Sequence, residues 1–144
     1  MPDLIEVRII DHPAPGQTLV YMATAAPWPF QPRDAVTRFE RHAGNPLTIT
    51  LQGKPDALPR REGFIRIPAS SGQWRLLSEG NQTLVTYRLR VDPGGRIPQW
   101  LADSASQRRA RAAMEALKEY AESPAANRCL PDQSDGQSRH GNVP

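Results

Sequence analysis

The chain is poor in the residues that build most active centres and most cross-links. It holds one cysteine, Cys129, in 144 residues, so no internal disulfide can form and the fold does not depend on an oxidising compartment. Its three histidines, His12, His42 and His140, fall in turn-like and tail segments. None shares a metal-ligand spacing with another or with Cys129, so neither a metal site nor a cofactor is expected. There is no nucleophile–base–acid set, no glycine-rich phosphate loop and no pair of carboxylates in one periodic frame. No catalytic residue is therefore assigned, and a non-enzymatic protein is expected. Aromatic residues make up 6% and hydrophobic residues 38% of the chain, enough for one modest core rather than two. No apolar run approaches the about 20 residues that span a bilayer. The opening MPDLIEVRII lacks the basic start and apolar core of a secretory signal, which leads to the expectation of a soluble, cytoplasmic protein.

Charge of one sign is also scarce. A net charge of +3 is too mild to argue for nucleic acid. Arg108, Arg109 and Arg111 spread around a helical frame and are followed by Glu115, Glu119 and Glu122. Phosphate backbones call for a one-sided basic stripe, so this run reads as a solvated helix face.

What is present is alternation. LIEVRII at 4–10 puts Ile5, Val7 and Ile9 on one face and Glu6 and Arg8 on the other, the pattern of a half-buried strand. After the turn chemistry of HPAPG, QTLVYMATA at 17–25 continues as strand, and APWPFQP breaks it because proline donates no ladder bond. DAVTRFER at 34–41 aligns Ala35, Thr37 and Phe39, and PLTITLQG at 46–53 aligns Leu47, Ile49 and Leu51. KPDALPRREG at 54–63 is a loop, and GFIRIP and GQWRLLS read as short strands joined by ASSG. TLVTYRLRV then aligns Val85, Tyr87, Leu89 and Val91.

From about Ile97 to Glu122 the period becomes helical, with Pro98 in the first turn, where its missing N–H costs nothing. Ala110, Ala113, Met114, Leu117 and Ala121 form one apolar stripe. Extended towards the N-terminus, the stripe meets Asp103 and Ser106, with Gln107 at its edge. Asp92-Pro93-Gly94-Gly95 is the reversal that would let this helix fold back across a curved sheet. Trp28, Trp74 and Trp100 read as packing residues. Beyond Ser123 the chain loses periodicity, so 1–123 is expected to be one domain and 124–144 a disordered tail.

These stretches resemble START domains, the lipid-transfer modules related to the steroidogenic acute regulatory protein. The likeness is carried by Thr83, Val85, Tyr87, Asp92, Pro93, Gly94, Gly95, Ile97, Pro98, Trp100 and Leu101 in the last strand and helix start. Trp28, Pro29, Arg33, Asp34 and Val36 carry it in the proline-rich turn, and Gly63, Ile65, Arg66, Gly72, Trp74 and Leu76 in the strands between. The resemblance implies an α+β helix-grip fold: a curved antiparallel sheet of about seven strands packed on one long C-terminal helix, with a hydrophobic tunnel between them. It implies binding, with transfer as a further role, of a lipid or another hydrophobic ligand, and transient contact with a membrane surface. The implied ligand-binding residues are Thr37, Phe39, Arg66, Tyr87, Leu89, Asp103, Ser106, Gln107, Met114 and Leu117. Leu58 and Pro59 would form a lid, beside Arg60 and Arg61, which would suit anionic headgroups. Where sterol-binding members carry a buried arginine this chain has Phe39. The helix and strands that precede residue 5 in the family have no counterpart here, so the domain is expected to be N-terminally incomplete. Two alternatives stand beside this reading: a pocket enzyme of the polyketide cyclase/aromatase type, and a truncated START-like protein without ligand.

Overall fold

The computed structural model describes residues 3–126. Seven strands precede one helix: β1 (Leu4–Asp11), β2 (Gln17–Thr24), β3 (Arg33–His42), β4 (Leu47–Gly53), β5 (Ile65–Arg66), β6 (Ala69–Glu79), β7 (Gln82–Asp92) and α1 (Gln99–Glu122). Cys129 and His140, with the rest of the tail from residue 127, lie outside the described residues. Six strands follow one another as antiparallel neighbours in the order β1-β2-β3-β4-β6-β7, and β5 pairs β3 off this path.

Two local departures from the sequence reading have simple causes. ASSG is not a connection: Ser70 and Ser71 pair with Val91 and Arg90 at the start of β6, because small residues let β6 follow β7 to its end. GFIRIP keeps only Ile65 and Arg66 as strand, running parallel to Arg33 and Asp34 of β3; Pro68, with no N–H to donate, stands just beyond it.

Gly94 and Gly95 take φ of 63° and 68°, the left-handed region that a Cβ disfavours. The Gly94 N–H donates to Asp92 Oδ1 at 2.9 Å. These two positions reverse the chain, and α1 begins one residue after Pro98, which serves as its N-cap.

Register sorts the side chains into two faces. On one lie Glu6, Arg8, Leu19, Tyr21, Ala23, Asp34, Val36 and Arg38; on the other lie Val7, Ile9, Val20, Met22, Thr24, Ala35, Thr37 and Phe39, continued by Leu51 and Leu89. The helix lies against β7 and reaches Thr24, so the second set is the helix face. The buried cluster of Tyr21, Ala23 and Val36, with Ile10, Leu19, Leu58 and Phe64 packed on it, belongs to the outer face.

One expected strand face stays uncovered. Ile5, Val7 and Ile9 are 51%, 53% and 63% exposed, because β1 is the sheet edge and among the described residues nothing packs over it.

Candidate functional site

The helix face is apolar but not filled. Phe39 pairs with Leu51, Leu51 with Gly72 and Gly72 with Leu89; beside them run Ile49, Trp74 and Tyr87. Trp74 stacks on Tyr87 with ring centroids 4.0 Å apart, and burial pushes the Tyr87 phenol above its ordinary value of 10.0. A Cβ at Gly72 would stand 2.6 Å from the Arg88 carbonyl oxygen, so only glycine lets β6 and β7 close up there, and it leaves the middle of the face bare. Of this set only Leu51 is buried; Thr37, Phe39 and Tyr87 are half-buried and Leu89 is exposed.

The helix does not close the space either. No residue of α1 is buried. Leu101, Ala105, Arg109, Ala113 and Leu117, each four residues after the last, are half-buried, as are Ala102, Ser106, Ala110 and Met114. That spacing defines the inward stripe. Along the trough where sheet and helix face each other, the apolar side chains thus stay half-buried or exposed, except Leu51.

The structure sorts the residues singled out from sequence. Thr37, Phe39, Tyr87 and Leu89 share the helix face of the sheet, and Met114, Leu117 and Ser106 lie on the half-buried stripe of α1. Asp103 and Gln107 do not: both are exposed, and Asp103 Oδ1 accepts a hydrogen bond from Gln99 Nε2 at 2.8 Å. The helical phase places Arg109 inward instead, which corrects its reading as part of a solvated face. It stands four residues from both Ala105 and Ala113, a spacing visible in the sequence but outweighed there by its charge. Trp28 and Trp100, read as packing residues, are 92% and 69% exposed.

Arg66 is on the outer side and is occupied. Its Nε and Nη2 donate to Asp34 Oδ1 and Oδ2 at 2.8 and 2.9 Å, with side-chain exposures of 2% and 1% for the two partners. The same guanidinium donates to the carbonyl oxygens of Pro55 (2.5 Å), Leu58 (3.0 Å) and Pro59 (3.1 Å). The bidentate carboxylate holds the Arg66 pKa above its usual value. Loop 54–63 is thereby tied to the outer face, with Leu58 against the Tyr21 cluster. Leu58 and Pro59 therefore do not stand over the trough as a lid. Arg61 is engaged as well, donating to Glu6 Oε2 at 2.8 Å.

Segment 25–32 joins β2 to β3, and Arg109 of the helix reaches its start. Arg109 Nη2 donates to Thr24 Oγ1 at 3.1 Å and to the Ala25 carbonyl at 3.5 Å. At the other end of that segment, buried Arg33 donates to the carbonyl oxygens of Gln31, Pro93 and Gly94, binding the glycine reversal to β3. Burial, and secondarily Arg109, lowers the Arg33 pKa; burial lowers that of Arg109.

The chain is similar to several known proteins. It is 36% identical to the STAR-related lipid transfer protein (fragment 25-204) of Xanthomonas axonopodis, covering 74% of this chain and 60% of that one with a TM-score of 0.65. Human STARD10 shares the fold at a TM-score of 0.69 and 24% identity, over 87% of this chain and 55% of that one. An uncharacterized protein of Pseudomonas aeruginosa is 38% identical over 87 residues, 58% of this chain and 43% of the relative. The chain thus spans roughly half the length of the proteins it matches. Its seven-stranded sheet and single C-terminal helix are the helix-grip arrangement of these structures, and with a START domain model matching residues 1–123, the chain belongs to the START domain family.

Proposed function

We propose that this domain binds a lipid or another hydrophobic small molecule, without catalysing its conversion, in the trough between the sheet and α1. The observation that carries this is the contrast between the two faces. The outer face holds a packed cluster, whereas the helix face carries Phe39, Ile49, Trp74, Tyr87, Leu89, Met114 and Leu117 with none of them buried. Apolar surface left in water is unfavourable by about 25 cal/mol per Å², and a concave apolar lining with few polar groups is the form ligand sites take. The resemblance in fold to a STAR-related lipid transfer protein supports the same class of ligand. Thr37 and Ser106 supply hydroxyls at the margin. Exposed Trp28, at the tip of the 25–32 segment, and exposed Trp100 suit brief contact with a membrane interface, where indole rings partition; ligand transfer between membranes would use that contact.

The test is retention. Delipidated protein is incubated with a total lipid extract, re-isolated and examined by native mass spectrometry. One apolar molecule per chain is expected. A spectrum showing only the bare chain, from protein that is folded by circular dichroism, refutes the proposal.

A further inference from the structure

Arg109 is the group that the apolar trough does not explain. Its guanidinium presents five N–H donors and no acceptor. Nη2 is used by Thr24 and Ala25, but Nε is buried with no hydrogen-bond partner. No carboxylate forms an ion pair with Arg109 among the described residues, and none forms one with Arg33. Asp3 acts on Arg109 only through its field, and Arg108 opposes that. Two buried or half-buried cations thus stand near enough for Arg109 to lower the Arg33 pKa. Arg33 spends its donors on three carbonyls; Arg109 keeps its buried Nε–H in reserve. A buried donor without a partner is destabilising, more so on a charged group, and packing alone here would be served by an alanine like those at 105, 110 and 113.

Resting on the reading of the trough as a hydrophobic-ligand site, we propose that Arg109 is an anion-binding residue that seats the oxyanion headgroup, carboxylate or phosphate, of a single-chain amphiphile. The headgroup oxygen accepts from Arg109 Nε–H. Thr24 Oγ1 fixes the guanidinium, and Arg33 adds positive potential from behind. The tail runs along the helix face towards Phe39 and Leu89. From Arg33 to Phe39 the strand advances six residues, or about 20 Å at ~3.3 Å per residue. An acyl chain that fills one leaflet, about 15 Å of hydrocarbon, fits within that span. Charge-assisted hydrogen bonds made away from bulk water are among the stronger polar contacts, so the headgroup decides which apolar molecule is kept.

The test compares ligands that differ only at the head. Dissociation constants are measured on delipidated protein for oleate and oleoyl lysophosphatidate, and for their uncharged counterparts methyl oleate and monoolein. The wild type is expected to prefer at least one of the anionic pair by about tenfold, which corresponds to ~1.4 kcal/mol; the two anionic arms tell carboxylate from phosphate. Arg109→Met is expected to bind charged and uncharged ligands alike. In the wild type, the Arg109 Nε–H resonance should shift on adding the preferred anion and stay put with methyl oleate, a readout independent of whether the variant folds. Equal affinity for charged and uncharged ligands overturns this inference and leaves the trough standing. Preference retained in folded Arg109→Met also overturns it. Failure of all four ligands to bind overturns both.

Discussion

Cutting both sides of the Asp34–Arg66 pair should cost less than the two single cuts added together. The two partners are 1% and 2% exposed and share two bonds of 2.8 and 2.9 Å. Removing one partner of such a pair leaves an uncompensated buried charge, at about 3–5 kcal/mol. Asp34→Leu leaves the guanidinium its three carbonyl acceptors from Pro55, Leu58 and Pro59, so it belongs near 3 kcal/mol, the lower end of that range. Arg66→Met strands the carboxylate and three carbonyls together, so it belongs near 5 kcal/mol, the upper end. The double variant Asp34→Leu/Arg66→Met removes both charges and should be less destabilised than the sum of the singles by roughly 2 kcal/mol or more. Urea unfolding followed by circular dichroism at constant m reads all four corners of the cycle. Additivity within about 0.5 kcal/mol would show two independent, solvated residues and refute the account of this pair. Ligand affinity per folded molecule should be unchanged throughout, since the pair lies on the outer face.

The remaining predictions concern the helix face. Leu89→Trp puts an indole on an exposed lining position at 38% relative exposure; it should abolish ligand retention while shifting stability by less than about 1 kcal/mol, as read by native mass spectrometry and urea midpoints. Gly72→Val forces a Cβ to within 2.6 Å of the Arg88 carbonyl oxygen, an overpacking worth about 1–3 kcal/mol, which thermal unfolding will show as a lowered midpoint. Because burial raises the Tyr87 pKa, the unfolded chain loses this proton first as pH rises. The Tyr87 contribution is therefore intact below pH 10 and declines above it, and tyrosinate absorbance of the wild type against Tyr87→Phe should place its ionisation above 10.0.

Much of this architecture could be read from the order of the side chains. Period-two alternation places Ala35, Thr37 and Phe39, then Leu47, Ile49 and Leu51, then Val85, Tyr87 and Leu89 in register, and the pairings put all three sets on the helix face. What sequence hides is which partner an element meets. Arg66 and Asp34 are 32 residues apart, and only the two-residue parallel β5 brings them together, so a residue expected to bind ligand stands in a buried ion pair. The same pairing carries Leu58 and Pro59 to the outer face. Alternation in β1 shows an apolar side but not that an edge leaves it bare. In α1, successive positions differ by 100°, and a stripe drawn through Ala110 and Met114 meets Ser106 whereas one through Ala113 and Leu117 meets Arg109. Towards the N-terminus the first stripe meets Ala102 and the second Ala105 and Leu101, so small or apolar residues stand on both and the pattern alone does not choose.

The central claim, that the space between sheet and α1 is a site for an apolar molecule, is tested most directly by the tryptophan inside it. A Trp28→Phe/Trp100→Phe protein leaves Trp74 as its only indole, stacked on Tyr87 within the trough. Titrated with brominated stearate and with its methyl ester, Trp74 emission should fall to a plateau with at least one of them, and unlabelled ligand should restore it. Emission that stays constant with both, or declines only in proportion to added bromide without a plateau, would contradict the account.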